Sequence, residues 1–394
     1  MTSFSNVAEK ARAGERLSFD EGVSLFNYPN LPALGALAND VRERLHGDLA
    51  FFNVNMHLNA TNVCEASCMF CAFARQEEGN PGAYTMSLAD AIGRVEASKD
   101  KALTEVHVVN GLHPGLPFDY YEELLRGIKR VRPDLHIKGF TAVEIEYFAQ
   151  KFGMSREEVL SRLVDCGLGS LPGGGAEIFA PSVRQKICAD KVDADGWIEI
   201  HQIAHRMGLK SNCTMLYGHV ESIEERVDHL CRLREAQDQT GGFQCFVPLA
   251  FHPANTSMQR LPPPTGCEDL RVYAVSRLML DNIPHLKAYW SMVGQKTAQV
   301  ALWFGADDID GTVEEERIYH MAGARTPQAL TRAELVHIVR KAGRTPVERD
   351  TLYRVVRVEA EGDVSREAAA DHAGPTRRAT HLPKLRVVTT EQPT

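Results

Sequence analysis

The chain has 394 residues, with 44 lysines and arginines against 52 aspartates and glutamates, so its formal net charge is −8. Surfaces that bind nucleic acid are basic and clustered, and this acidic balance argues against a nucleic-acid partner. No apolar run approaches the roughly 20 residues that a membrane-spanning helix needs. Residues 1–25 lack the apolar stretch of a secretory signal. We therefore expect a cytoplasmic protein without a membrane span.

The predicted elements begin with a short helix over Leu17–Val23, where Ser18 and Glu21 have the spacing of a capping box. Strand-like runs then alternate with amphipathic stretches. The predicted strands are Asn53–Ala60, Glu105–Asn110, Leu135–Thr141, Gly167–Leu171, Lys210–Leu216, Gln244–Phe251, His285–Trp290 and Val300–Phe304. The predicted helices are Ser87–Lys101, Asp119–Val131, Arg156–Asp165, Asp195–Met207, Ile223–Gln239 and Cys267–Asp281. We interpret Gly139–Ile145 as the end of the third strand.

This alternation predicts an α/β fold with a parallel sheet, arranged as a complete or partial TIM-type (β/α) barrel. Residues 1–50 are expected to form helices before the barrel, and residues 51–356 the barrel itself. Residues 357–394 contain no aromatic residue and few large apolar ones, which predicts a poorly ordered tail with a short docked piece around Leu385–Val388. In such a barrel the functional residues lie on the loops that follow the strands.

Nine cysteines are the unusual feature of the composition. An odd number, in a chain without an export signal, argues against a disulfide framework. Six are scattered singly and are expected to be buried structural thiols, namely Cys166, Cys188, Cys213, Cys231, Cys245 and Cys267. The other three are clustered within eight residues, directly after the first predicted barrel strand.

These three are Cys64, Cys68 and Cys71, with the spacing Cys-x₃-Cys-x₂-Cys. Three thiolates on a four-iron cluster leave one iron without a protein ligand. A structural zinc site would need four ligands, but no second Cys-x-x-Cys occurs, and His57 lies on the strand before the loop. The spacing alone favours an iron–sulfur cluster. It leaves open a non-enzymatic protein with structural zinc or a simple redox cluster, as well as plain buried thiols.

The triplet after a first strand, with Phe70 before the last cysteine, resembles the signature of the radical S-adenosylmethionine (radical SAM) enzymes. The resemblance implies that the three cysteines bind a 4Fe–4S cluster and that S-adenosylmethionine chelates the remaining iron. An electron from the cluster then cleaves the sulfonium to methionine and a 5′-deoxyadenosyl radical. The cofactor supplies this chemistry, while the protein supplies position and protection.

Two further loops are candidates for binding S-adenosylmethionine under this resemblance. Most of these enzymes have Gly-Gly-Glu after the second strand, where this chain instead places Asn110, Gly111 and His113. We take these three residues as candidate contacts. A triple glycine lies in Pro172–Ile178, where it allows backbone amides to approach a ligand. Glu177, at its end, is the candidate for a contact to the ribose or the amine.

Three strings narrow the resemblance to the branch of menaquinone- and deazaflavin-pathway enzymes: Tyr217–Glu221, Ala250–Pro253 and Ala306–Thr312. Within that branch they are most similar to the members that act on 3-((1-carboxyvinyl)oxy)benzoate. Relatives more often have a Gly-Gly pair where Asp310 and Gly311 stand. Cyclic dehypoxanthinyl futalosine synthases and deazaflavin synthases of the same branch remain the alternatives.

The resemblance implies a transferase that adds the 5′-deoxyadenosyl group to the enol ether, followed by rearrangement and decarboxylation to 6-amino-6-deoxyfutalosine. It also implies an external one-electron donor of the flavodoxin or ferredoxin type. The small-molecule substrate is an aryl enolpyruvyl dicarboxylate, and cationic side chains suit its two carboxylates. The candidates for this contact are Arg75, Lys138, His252 and Arg325.

Overall fold

The structure is a computed structural model and describes residues 3–359. Its helices are α1 (Phe4–Ala13), α2 (Phe19–Phe26), α3 (Leu31–His46), α4 (Leu88–Glu96), α5 (Phe118–Val131), α6 (Ala142–Phe152), α7 (Arg156–Asp165), α8 (Pro181–Ile187), α9 (Ala194–Arg206), α10 (Ile223–Thr240), α11 (Gly266–Met279), α12 (Trp290–Val293), α13 (Gln295–Ala301), α14 (Ile318–Met321) and α15 (Arg332–Lys341). Its strands are β1 (Leu49–Asn53), β2 (Asn55–Leu58), β3 (Glu105–Val108), β4 (His136–Gly139), β5 (Leu168–Leu171), β6 (Lys210–Tyr217), β7 (Phe243–Ala250), β8 (His285–Leu286), β9 (Asp308–Gly311), β10 (Thr345–Arg349) and β11 (Val355–Val358).

Seven parallel strands form the main sheet, in the order β2-β3-β4-β5-β6-β7-β8. Each strand pairs with the next one along the chain, and at least one helix lies between every two consecutive strands. This is the repeated β–α unit of a TIM-type barrel, as predicted. Because all seven strands are parallel, their carboxyl ends meet at one edge of the sheet. The loops that follow the strands therefore share one face of the barrel.

The two outer strands of this sheet are linked through the segment around β9. Lys287, directly after β8, forms a parallel bridge with Asp308, and Met56 in β2 forms one with Glu314. β9 also belongs to a four-stranded sheet in the order β11-β10-β1-β9, in which only β10 and β11 are antiparallel. The barrel thus consists of seven regular strands. The gap between β2 and β8 is spanned by the β9 segment, which forms one β-bridge on each side.

Local sequence signals account for the starts of several helices. Ser18 accepts a hydrogen bond from the Glu21 N–H, and the Glu21 carboxylate accepts one from the Ser18 N–H, which completes the predicted capping box of α2. Ser222 and Glu225 form the same arrangement at α10, and Ser87 caps α4. These reciprocal bonds satisfy backbone donors that a helix start leaves unpaired.

Two predicted elements are wrong. The region predicted as a strand at Val300–Phe304 is the end of α13 followed by turns. Val300 and Trp303 are exposed there, while Ala301 and Leu302 are buried, so the spacing of exposed residues is helical rather than alternating. The third strand does not reach Ile145. It ends at Gly139, because α6 begins soon after it with a capping box of its own.

The C-terminal boundary also differs from the expected one. Strand β11 continues to Val358, so the expected start of the tail at residue 357 falls inside a strand. The remainder of that expected extension, with its docked piece at Leu385–Val388, lies outside the described residues. None of the helices within residues 3–359 is both long enough and apolar enough to cross a membrane.

Buried ion pairs hold the β9 segment to β10 and to α11. Arg349, at the end of β10, lies 2.6 Å from Asp308 of β9, and their side chains are 1% and 0% exposed. Arg277 of α11 lies 2.5 Å from Asp307, with similar burial. A charge at this depth is tolerated only when it is paired and hydrogen-bonded. These pairs therefore fix where β9 sits at the gap between the barrel edges.

Replacing Arg349 with methionine leaves the buried carboxylate of Asp308 without its partner. We expect the free energy of unfolding to fall by about 3–5 kcal/mol, measured by urea denaturation of the cluster-free protein. The control is Arg12→Met, whose exposed pair with Asp40 contributes much less. Equal losses in the two variants would show that the Arg349 pair has no special role.

Candidate active site

The cysteine loop, residues 61–75, follows β2 and carries all three clustered cysteines. Its backbone folds back on itself, since the Cys64 N–H donates to the Arg75 carbonyl (2.8 Å) and the Arg75 N–H donates to the Asn62 carbonyl (2.8 Å). The three cysteines are free thiols, and all three line one cavity at the carboxyl ends of the strands. The fold therefore brings Cys64, Cys68 and Cys71 to one cavity.

The spacing of the three thiols discriminates between a single ion and a larger group. Among the described residues, only His46, His285 and Asp307 place three ligand atoms within 4.8 Å of one another, so at least two of the three sulfurs lie farther apart than that. Sulfurs bound to one zinc at 2.3 Å would lie about 3.8 Å apart in a tetrahedral site. The wider spread of the cysteine loop suits an iron–sulfur cluster better than zinc.

Burial determines the protonation of these thiols when no metal is bound. Loss of solvation raises the pKa of Cys64, and it raises the pKa of Cys68 to about 12. Such thiols stay protonated at neutral pH unless a cation stabilises the thiolate. Iron would supply that stabilisation, and three thiols at one cavity are the donor set of a cluster with three protein ligands.

The cysteine loop is fastened to the loop that follows β3. Asn110 Oδ1 accepts a hydrogen bond from the Ala60 N–H (2.7 Å), and the Gly111 N–H donates to the Thr61 carbonyl (2.9 Å). A β-carbon on Gly111 would lie 2.3 Å from the Val63 carbonyl oxygen. Only glycine allows the two backbones to approach this closely. Asn110 and Gly111, both predicted as contacts, thus also position the cysteine loop.

Glu144 is a buried carboxylate of the site that the sequence interpretation missed. Its Oε1 accepts from the Asn110 N–H (3.0 Å), and its Oε2 accepts from the Thr141 N–H (2.8 Å). Burial raises its pKa to about 7, against the lowering effect of these hydrogen bonds. The residue joins the start of α6 to the loop after β3. Its capping-box spacing from Thr141 was a visible signal, hidden by the interpretation of this stretch as strand.

The glycine-rich loop after β5 forms another wall of the cavity. A β-carbon on Gly173 would lie 2.7 Å from Cα of Cys213, so this loop also packs directly on backbone. Glu177 follows with φ of 47°, a left-handed conformation that non-glycine residues rarely adopt. Its carboxylate is paired with Lys191 at 2.7 Å, and the Lys191 ammonium lies 5.0 Å from the centre of the Phe70 ring. Lys191 also belongs to the site and was not predicted.

The cavity has a volume of about 280 Å³ and runs from the cysteine loop into the barrel. Apolar side chains of the later strands form part of its wall, and they include Leu216, Val247, Leu249 and Phe251. Two buried ion pairs, Lys138–Glu105 and Lys287–Asp310, also line it, each with a distance of 2.7 Å. It can therefore hold an elongated molecule that is apolar in the middle and charged at an end.

The structure brings most of the predicted site residues to this one cavity. Those that line it are Cys64, Cys68, Cys71, Asn110, Gly111, Glu177, Lys138 and His252. Three others do not line it, and they are Arg75, His113 and Arg325.

The three residues outside the cavity have other surroundings. Arg75 donates to the carbonyls of Ala72 (3.0 Å) and Pro81 (3.0 Å), which stiffens the cysteine loop. The Nδ1 atom of His113 accepts from the Gly115 N–H (2.9 Å) and so shapes the loop after β3. Arg325 is exposed. Arg75 and His113 bond to nearby backbone, and Arg325 faces solvent. The spacing of residues in the sequence does not reveal these surroundings.

Comparison with known proteins agrees with this geometry. Residues 58–233 match the model of the radical SAM superfamily, and residues 240–361 match that of the CofH/MqnC C-terminal region. An aminodeoxyfutalosine synthase of Thermus thermophilus is 48% identical over 89% of this chain and 95% of its own length. The chain belongs to the radical SAM superfamily. It is therefore an enzyme that uses a 4Fe–4S cluster and S-adenosylmethionine, as the motif predicted.

Other members of the superfamily are similar as well. A 5-amino-6-(D-ribitylamino)uracil–L-tyrosine 4-hydroxyphenyl transferase of Methanopyrus kandleri is 43% identical over 82% of this chain and 88% of its own. The crystal structure of methylornithine synthase superposes with a TM-score of 0.69 at 18% identity, covering 87% of this chain and 97% of that one. The fold is thus common to radical SAM enzymes of different activities, and the choice of substrate depends on the cavity.

The close contact at Gly111 generates a prediction. A Gly111→Ala substitution would force the Val63 carbonyl, and with it the cysteine loop, out of place. We expect the variant to retain less than about a tenth of the wild-type iron and sulfide after anaerobic reconstitution, measured per chain.

The matched control is Gly93→Ala in α4, where an added β-carbon meets no atom within 4 Å. Alanine favours a helix by about 1 kcal/mol over glycine, so this variant should fold and load its cluster normally. A normally loaded Gly111→Ala protein would contradict the proposed role of the close contact.

Proposed function

We propose that the enzyme transfers the 5′-deoxyadenosyl group of S-adenosylmethionine to 3-((1-carboxyvinyl)oxy)benzoate. Rearrangement and loss of the enolpyruvyl carboxylate as carbon dioxide then give 6-amino-6-deoxyfutalosine, with methionine as the second product. The single observation that carries this proposal is one cavity with three thiols at its mouth, apolar walls, and buried lysines deeper inside. That profile suits a substrate with an aromatic ring and carboxylates. The 48% identity to an aminodeoxyfutalosine synthase over nearly the whole of both chains supports the same reaction.

Cys64, Cys68 and Cys71 are the residues that we propose hold the cluster. With S-adenosylmethionine bound, the cluster supplies the electron that cleaves the sulfonium. The conformation of the cysteine loop is fixed, because several of its carbonyls and N–H groups are hydrogen-bonded within the loop and to the loop after β3. Three thiols on four irons leave one iron open for the co-substrate.

The remaining residues of the cavity orient the two small molecules and keep water out. Glu177 and Asn110 line the same cavity as the thiols, where they can accept hydrogen bonds from the amine or ribose of S-adenosylmethionine. Leu249 and Phe251 offer an apolar surface for the ring. A rigid cavity that excludes water protects a reactive radical from side reactions. Of the predicted substrate contacts, we retain Lys138 and His252, which line the cavity.

The reaction also requires a separate electron donor and a suitable cellular compartment. Reduction of the cluster requires an external one-electron donor, for which we propose a flavodoxin or ferredoxin, and no nucleic acid takes part. Free thiols and an oxygen-sensitive cluster favour a reducing compartment, the cytoplasm.

The proposed reaction is tested by incubating the anaerobically reconstituted enzyme with dithionite, S-adenosylmethionine and the enolpyruvyl benzoate. Mass spectrometry should show an adduct that contains the adenosyl group, together with one methionine per adduct. Free 5′-deoxyadenosine as the sole product would contradict adenosyl transfer and favour a relative that abstracts hydrogen.

The cluster ligands are tested by a pair of cysteine variants. Cys68→Ala should lose the brown absorbance and most of its iron, because a thiolate ligand is missing. Cys231→Ala, on α10 and away from the cavity, should keep the wild-type iron content. Stoichiometric zinc without iron in anaerobically purified wild-type protein would overturn the assignment.

A further inference from the structure

Two lysines deep in the cavity have hydrogen-bonding capacity that the protein does not use. Lys138, on β4, and Lys287, directly after β8, line the cavity with side chains that are 4% and 6% exposed. Within residues 3–359, the ammonium of Lys138 donates only to Glu105 and that of Lys287 donates only to Asp310, each at 2.7 Å. An ammonium has three donors, so each lysine has two left over.

Unused donors on a buried charge are costly unless a ligand or water accepts their hydrogen bonds. The two lysines lie near the same carboxylate, because the charges of both act on Glu105. Burial raises the pKa of Glu105, but the two ammonium groups lower it, and the pKa lies well below its usual range. A carboxylate suits such donors, since its two oxygens each accept charge-assisted hydrogen bonds. The deep part of the cavity therefore has the chemistry of a carboxylate subsite.

Asp310 holds Lys287 in place at some conformational cost. Its φ is 70°, in the left-handed region that favours glycine. Its N–H donates to Asp308 Oδ1 at 2.6 Å, and Asp308 is in turn bound by Arg349. A strained residue fixed by buried neighbours is typical of functional sites. The arrangement keeps Lys287 charged and aimed at the cavity rather than withdrawn into the sheet.

The position of the lysines relative to the apolar wall indicates which carboxylate they meet. Leu216 and Leu249 pair with each other near the carboxyl ends of β6 and β7, toward the cysteine loop. Lys287 follows Leu286, which pairs with Phe246 earlier on β7. A ring lying against the leucines would therefore have one end near the thiols and the other end near the lysines.

From this geometry we propose that Lys287, held by Asp310, forms with Lys138 the subsite for the ring carboxylate of the aryl substrate. The enolpyruvyl end of the substrate then lies toward the cysteine loop. This inference rests on the proposed function and adds to it the residues that distinguish a benzoate from an uncharged ring.

The test compares two substrates, the enolpyruvyl benzoate and 2-phenoxyacrylate, which keeps the enol ether but lacks the ring carboxylate. The main variant is Lys287→Met/Asp310→Gly, because it removes both charges of the pair and places glycine at the left-handed position. Loss of a charged hydrogen bond corresponds to about tenfold to hundredfold in kcat/KM. We expect that loss for the benzoate and less than about a threefold change for phenoxyacrylate.

A second variant, Lys138→Met/Glu105→Gln, tests the other half of the subsite and serves if the first does not fold. The control is Lys10→Met/Glu21→Gln, which removes an ion pair of the N-terminal helices and should keep the wild-type ratio of the two substrates. Iron content and thermal melting are measured for all variants.

Three outcomes separate the possibilities. A selective loss for the benzoate in the cavity variants, with the control unchanged, supports the subsite. An equal loss for both substrates in well-folded cavity variants overturns it and leaves the proposed function intact. If the wild-type enzyme forms an adduct from neither substrate, the proposed function fails and the subsite fails with it.

Discussion

The backbone contact between the cysteine loop and the loop after β3 is the constraint on which the site depends. Gly111 lies so close to the Val63 carbonyl that no side chain fits between them, and Asn110 and Glu144 tie this contact to β2 and α6. Parallel strands bring the two loops to the same face of the barrel, but the contact fixes their distance. The position of the three thiols at the cavity therefore depends on the contact between these two loops.

Charge balance is the second requirement of this interior. Each of the three lysines that line the cavity has one carboxylate partner at 2.7 Å, as the pairs Lys138–Glu105, Lys191–Glu177 and Lys287–Asp310. Paired charges can remain ionised in a dry cavity, whereas single charges could not. Each of these pairs is therefore neutral as a unit and still presents ammonium donors to a ligand.

The barrel and the cysteine triplet could be predicted because both leave patterns within short stretches of the sequence. Capping boxes such as Ser222 with Glu225 mark the starts of helices. Runs of alternating or continuous apolar residues mark the strands. The short strands β1, β9 and β10 escaped prediction, since β1 pairs with residues far along the chain, as in Leu49 with Thr345 and Phe51 with Asp308. Lys191 and Lys287 were missed for the same reason, because their carboxylate partners become neighbours only in the folded barrel.

We propose that the cysteine triplet holds a cluster with one open iron, at which S-adenosylmethionine binds within the cavity. The most direct measurement is electron–nuclear double resonance on the reduced enzyme with S-adenosylmethionine carrying ¹⁵N at its amine. The account predicts a ¹⁵N coupling to the cluster that is absent with unlabelled co-substrate and absent in Cys68→Ala. A reduced cluster without ¹⁵N coupling, in protein shown to bind S-adenosylmethionine, would contradict it.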